Sequence, residues 1–224
     1  MAILPQSFFN QDACKLAQHL LGKVIRRKYN QYWLAAQIIE TEAYYLNEKG
    51  SHASLGFTEK RKALFMTPGT IYMYYARGSD SLNISSRGKG NAVLIKSALP
   101  FQDDLTHPQA IAVMQQLNPL PSGATRAETQ LCSGQTLLCR SLHLKVTDWD
   151  QQQFDPDSFY LDDVQHTPET IIQTTRLGIP VGRDEALPYR FIDYNFASYC
   201  TSNPLSKRKP IPWSTIKLQA DRQQ

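Results

Sequence analysis

The chain has 224 residues, 42% hydrophobic and 20% charged, with a formal net charge of +4. That length suits one domain, or two small ones, with a core large enough to need no staples. The composition excludes a collagen-like, coiled-coil or wholly disordered chain, and no run of about 18 apolar residues offers a membrane span.

Ala13, Leu16, Ala17, Leu20 and Leu21 share one helix face, so a helix is predicted between Asp12, its N-cap, and Gly22, its stop. Residues 23–28 and 32–45 read as the strands of a hairpin, the second ending in Glu-Thr-Glu-Ala-Tyr. Residues 46–62 read as loop. Thr67-Pro68-Gly69 signals a turn before a strand over 70–75. Residues 76–81 form the expected hairpin tip, and strands over 82–85 and 92–97 follow. A short helix is predicted over 108–117, with Ile111, Val113, Met114 and Leu117 inward, then a Pro/Gly-rich loop over 118–124 and a helical turn over 139–142. Residues 148–163 hold six Asp and no Lys or Arg, the composition of a solvated loop that would repel a polyanion. Residues 1–203 are expected to form the domain. Residues 204–224, with three prolines around Lys207-Arg208-Lys209, are expected to form a basic, unordered tail.

The start, MAILPQSFFNQD, lacks the basic residues and apolar stretch of a secretion leader, which points to the cytoplasm. Cys14, Cys132, Cys139 and Cys200 have neither Cys-x-x-Cys spacing nor a His at zinc-finger distance, so neither a metal nor a disulfide is expected. Residues 1–112 carry 13 Lys/Arg and 8 Asp/Glu, whereas residues 113–224 carry 11 and 12. A basic half beside a neutral one is compatible with a polyanion lying on one face.

The chemistry concentrates in residues 38–44. Residues of equal parity share a strand face. Leu34, Ala36 and Ile38 are therefore expected to line up with Glu40, Glu42 and Tyr44, an apolar row that becomes two carboxylates and an aromatic. Such a row suits a strand end opening onto a cleft; taken alone it favours two surface carboxylates at a frayed strand end. Tyr72 and Tyr74 share one face of the next strand and Tyr75 takes the other, between a Pro-Gly turn and a tip carrying Arg77. Rings beside a polar cleft suit a planar base. His52 lies on the loop just after the carboxylates.

Four ordered blocks carry a resemblance: Ile39-Glu40-Thr41-Glu42-Ala43-Tyr44, Ser51-His52-Ala53, residues 66–74 (MTPGTIYMY) and Leu82-Asn83-Ile84-Ser85-Ser86. A looser block, Leu131-Cys132-Ser133-Gly134, precedes Leu138-Cys139, and Tyr189-Arg190-Phe191 is a late match. Together they resemble the alkyladenine (3-methyladenine) DNA glycosylase family. The resemblance implies a base-excision-repair enzyme that flips a damaged purine (3-methyladenine, hypoxanthine or ethenoadenine type) out of duplex DNA. It then hydrolyses the N-glycosidic bond and leaves an abasic site. The fold expected is a single α+β domain: a curved, mainly antiparallel sheet, flanking helices and a protruding hairpin that inserts into DNA. The partner expected is double-stranded DNA containing damaged purines, bound by a monomer with no cofactor and no membrane contact.

By the same resemblance, Glu42 is the general base that activates a water, and Glu40 has a supporting role. Tyr44 packs on one face of the flipped base, His52 and Tyr74 on the other. Asn83 disfavours the exocyclic amine of guanine. No amine nucleophile is needed, so no lyase activity is expected. Three departures stand out. The spacings from Glu42 to His52 and from Tyr74 to Asn83 are each one residue short, which puts Arg77, or failing that Tyr75, at the family's wedge position. Lys96, a pocket residue, stands where the family commonly has Arg. Gln135-Thr136-Leu137 stands where relatives often have Pro and Lys, so a phosphate contact is expected to be missing. Two rival readings are a damaged-DNA-binding protein of the same fold with weak or no turnover, and a sugar hydrolase pairing Glu40 with Glu42.

Overall fold

The computed structural model describes residues 2–208 and 211–218. In chain order its elements are β1 (Ala2–Ile3), α1 (Ala13–His19), β2 (Val24–Tyr29), β3 (Tyr32–Tyr44), β4 (Ile71–Ala76), β5 (Ser79–Ser85), β6 (Ala92–Pro100), α2 (Ala110–Leu117), α3 (Gln135–Ser141), α4 (Val146–Trp149), β7 (Phe159–Asp163), β8 (Thr170–Thr174), β9 (Arg190–Asp193) and β10 (Trp213–Lys217), with short 3₁₀ turns between them. This is a single α+β domain. The strands form one open sheet in the order β1-β7-β2-β3-β6-β5-β4, and a branch of β9, β8 and β10 joins at β3. Every pairing among the named strands is antiparallel.

Local chemistry explains the first elements. Asp12 caps α1: its Oδ1 accepts from the amides of Cys14 (3.0 Å) and Lys15 (3.3 Å), satisfying donors that have no partner inside the helix. Gly22 ends the excursion at φ +83°, and a Cβ there would meet the backbone oxygen of His166 at 2.6 Å. The β2–β3 hairpin closes where the polar turn predicted it, Tyr29 opposite Tyr32. The predicted second helix is α2. Ala110 and Met114 are buried, and Ile111, Val113 and Leu117 pack half-buried against the main core. The helical turn predicted over 139–142 is the end of a longer helix, α3.

The long strand β3 organises the sheet. Its first half pairs with β2 on one side; its second half, Glu40–Glu42, pairs with β9 on that side, and β6 runs along the other. The register against β6 shifts twice, between Ile38 and Glu40 and between Glu40 and Thr41. Each shift is a bulge, first with an extra residue on β3 and then with one on β6. The shared-face expectation fails here. Leu34, Ala36, Ile38 and Ala43 lie in the main core, Thr41 donates to the carbonyl of Ala17 in α1, and Ile39 joins a second cluster with Ile172 and Ile192. The bulge flips the parity of β3, so Glu40, Glu42 and Tyr44 stand on the face opposite Leu34, Ala36 and Ile38. The β6 bulge makes the matching flip, since Ala98 lies in the same core as Val93 and Ile95.

Two further expectations need correction. The acidic stretch is not simply a solvated loop. Asp162 is buried in β7 and binds Arg26 Nε at 2.7 Å, and Lys23 binds Asp163 at 2.7 Å. Asp150 accepts from the Met73 amide at 2.9 Å, so part of this segment buttresses β4. The expected tail is not without order: β10 pairs with β8, Trp213 opposite Thr174 and Lys217 opposite Thr170. Lys209 and residues 219–224 lie outside the described residues. Among the described residues no helix is long and apolar enough to cross a membrane.

The β4–β5 hairpin extends past its neighbour. Only Asn83, Ile84 and Ser85 of β5 pair with β6, so the stretch from Tyr74 to Ser81 projects beyond the sheet. Its tip is two residues, Arg77 and Gly78, rather than the six expected. Both have positive φ, +52° and +79°, as a tight turn matched to strand twist requires.

Candidate active site

A cavity of about 890 Å³ opens where the hairpin, β6, the N-terminal end of α3 and the segment 177–183 converge. Tyr44, His52, Tyr74, Asn83 and Lys96 all line it, as do Tyr75 and Arg77 on the projecting hairpin. The residues singled out between positions 44 and 96 therefore meet around one space. A small cluster of Ala53, Ala63, Leu64, Tyr72 and Ala92 backs the wall, with Tyr74 packed against it.

Glu42 is fully buried next to Tyr44, Leu177 and Lys96, which line the cavity. Its Oε1 accepts from the Leu177 amide at 3.0 Å and lies 3.5 Å from Lys96 Nζ, while its Oε2 accepts from the Tyr44 hydroxyl at 2.7 Å. Lys96 also donates to Gln135 Oε1 at 3.3 Å. Burial and the Glu42 carboxylate push the Tyr44 phenol well above its ordinary range, so its proton stays on the hydroxyl that orients Glu42.

Elsewhere in the lining, the His52 and Tyr74 rings meet edge to face, 4.3 Å between centroids, and His52 Nδ1 lies 3.0 Å from the Tyr72 hydroxyl. Tyr72 and Tyr74 stack at 5.6 Å. Asn83 donates to the Tyr72 carbonyl at 3.2 Å, which fixes its amide at the cavity wall. Burial, then the Arg61 and Arg183 cations, lower the His52 pKa below its ordinary value. The folded ring thus resists a proton that the unfolded chain accepts as pH falls through about 6.5, so His52 subtracts stability on the acid side. His52→Gln is expected to flatten that part of the profile, read as urea midpoints at about pH 7.5 and pH 5.5. Equal slopes for both proteins would sink the idea.

Glu40 sits one bulge away with different company. Arg190 Nε donates to its Oε1 at 2.6 Å; the Ser97 hydroxyl and, at 3.2 Å, the Thr201 amide serve Oε2. Both Glu40 and Arg190 are fully buried. A carboxylate so completely engaged does not pair with Glu42 as a second acid–base group, which removes the geometry a sugar hydrolase would need.

The chain matches the methylpurine-DNA glycosylase (MPG) family over residues 7–196. It belongs to that family. A relative from Pseudomonas savastanoi pv. phaseolicola is 62% identical over 206 residues, 92% of each chain. Another from Pseudomonas aeruginosa is 60% identical over 204 residues, 91% of this chain and 85% of the relative. A distant one from Carboxydothermus hydrogenoformans is 30% identical over 193 residues, 84% of this chain and 94% of the relative. All three are provisionally named 3-methyladenine DNA glycosylase. This methylpurine-DNA glycosylase family member is accordingly a DNA-repair protein of base excision, and damaged DNA is its partner class.

Sequence reasoning missed the contribution of the segment after β8. Arg176 and Leu177 reach Glu42 and Tyr44 from about 135 positions away in a stretch with no local motif. The left-handed conformation of Arg77 also has a cost, because a side chain crowds the backbone there. Arg77→Asn is expected to raise stability by about 1 kcal/mol, a shift in Tm of a few degrees measurable by calorimetry.

Proposed function

We propose that this protein hydrolyses the N-glycosidic bond of alkylated or deaminated purines, of the 3-methyladenine, hypoxanthine and ethenoadenine type, after the nucleotide has rotated out of duplex DNA into the cavity. One observation carries the reading: a buried carboxylate, oriented by two hydrogen-bond donors and an ion pair with Lys96, lies beside a tyrosine-lined cavity of the size of a nucleotide site.

Tyr44 covers one face of the flipped base and Tyr74 with His52 the other. Asn83 excludes the exocyclic amine of guanine. A carboxylate has about four acceptor sites. Leu177 and Lys96 occupy Oε1, and Tyr44 takes one site on Oε2, which leaves Oε2 free to accept from a water. Glu42 removes a proton from that water, its oxygen bonds to C1′, and the bonding pair of the C1′–N bond leaves with the purine. The same negative charge stabilises the cationic character of the sugar as the bond breaks. Water is the nucleophile, so the reaction is monofunctional and no amine adduct forms. Arg77, at the tip of the projecting hairpin, fills the gap left in the duplex, an insertion that unstacks a base step. Tyr75, exposed two residues earlier in the same hairpin, is the alternative. The protein acts as a monomer in the cytoplasm.

The test is release of base from duplexes carrying hypoxanthine, ethenoadenine or 3-methyladenine. Strand breaks are expected only after alkali. Breaks without alkali would sink the monofunctional assignment. Tight lesion binding with no release would make the protein a damage-binding module instead. Arg77→Asn, with its tip intact but uncharged, is expected to lower affinity and release together.

A further inference from the structure

Behind Tyr44 lies a second buried cation. Arg176, just past the end of β8, is 4% exposed, and its guanidinium carbon lies 4.5 Å from the Tyr44 ring centroid and 5.6 Å from that of Tyr189. Its Nη1 donates to the Ala43 carbonyl at 2.9 Å and to Glu48, while its Nε and Nη2 have no hydrogen-bond partner among the described residues. Among the described residues the guanidinium thus lies against two aromatic rings on the side where it has no hydrogen-bond acceptor. The residue that follows supplies the amide that holds Glu42. Arg176 thus fixes the position of the ring and, through the chain, of the carboxylate.

Its charge has a separate effect. The negative potential of an aromatic face attracts cations. Tyr44 lines the cavity and Arg176 does not, while the guanidinium stacks over the Tyr44 ring, so the cation lies against the same π system from outside the cavity. Electron density drawn toward Arg176 is withdrawn from the cavity face. A purine alkylated at N3 or N7 is a cation while still attached to its sugar, and it stacks on a weakened face with like charge behind it. A neutral purine such as hypoxanthine relies on dispersion and buried area and loses nothing. Glu48 offsets the net charge of the pair, but the guanidinium is the group in contact with the ring.

Resting on the glycosylase reading above, we propose that Arg176 is a specificity-determining residue that tilts lesion choice toward neutral purines and away from cationic ones. Arg176→Met removes the charge and keeps an unbranched side chain. The ratio of kcat/KM on dimethyl sulfate-treated duplex to that on a hypoxanthine duplex is expected to rise about tenfold, the order of one desolvated cation–π contact. Arg176→Lys keeps the charge and is expected to leave the ratio near wild type. Should Arg176→Met leave Glu48 unpaired and unfold the chain, Arg176→Met combined with Glu48→Gln removes both charges, and a melting curve reports folding. Equal losses on both substrates would overturn the proposal, because a purely positioning residue affects every lesion alike. If wild type releases no base, the glycosylase reading fails by itself. The ratio is then read from the affinities of wild type and variant for duplexes carrying 7-methylguanine or hypoxanthine, where an unchanged ratio overturns the proposal equally.

Discussion

Glu42→Gln is expected to slow release of hypoxanthine at least ~100-fold, the contribution typical of a positioned general base, while melting temperature and lesion affinity stay near wild type. The local hydrogen bonds make this substitution a clean one. The glutamine carbonyl can take the place of Oε1 and accept from the Leu177 amide and Lys96, and its NH₂ can donate to the Tyr44 oxygen once that hydroxyl rotates. Lys96 loses its counter-charge but keeps Gln135 as an acceptor, and a melting curve read beside the rate separates folding from chemistry. Single-turnover kinetics on a duplex with one hypoxanthine measure the loss. A rate within a few-fold of wild type would remove Glu42 from the chemistry and leave the cavity as a binding pocket.

The second large effect is on stability. Arg190→Leu is expected to cost about 3–5 kcal/mol, which lowers Tm by roughly 10 °C for a domain of this size. Arg190 lies in β9 directly opposite Glu42 on β3, and its guanidinium serves Glu40 at 2.6 Å and the Ser202 carbonyl at 2.6 Å. Its loss strands a carboxylate in the interior with only hydroxyl and amide donors. Removing both charges, in Glu40→Leu with Arg190→Leu, is expected to recover part of the loss, because an apolar pair can replace a buried ion pair with little penalty. Chemical denaturation of the two variants separates the cases. An Arg190→Leu protein as stable as wild type would show that the pair does not hold the β3–β9 junction together.

The parts of the fold legible in the sequence were those written in local chemistry. Asp12 and Gly22 bracket α1 because a cap and a left-handed stop need specific residues at specific places. The β2–β3 hairpin shows in its alternation and its polar turn. What the sequence showed of the candidate site was a set of residues: Tyr44, His52, Tyr74, Asn83 and Lys96 line one cavity, and Glu42 is buried beside Tyr44 and Lys96. Their orientation was not legible. Ile38-Ile39-Glu40 contains no glycine or proline to mark a bulge, and the extra residue is accommodated only because β6 carries a matching one. The role of residues 148–163 was hidden for a related reason. A carboxylate buried against Arg26 has the same one-letter code as one in water, and the partner comes from a strand about 136 positions away. Arg176 and Leu177 were invisible because tertiary folding alone brings them to Glu42.

The paired bulges make the active site a matter of counting. Upstream of Glu40, even-numbered side chains of β3 feed the core; downstream, odd-numbered ones do. Deleting one residue from the bulge would turn Ala43 toward the cavity and Glu42 into the hydrocarbon interior without changing any side chain. A deletion in β6 alone would do the same to Lys96 and Leu94. Insertions and deletions in these two strands are tolerable only in matched pairs, so length, more than identity, is the property of β3 and β6 that drift can least alter.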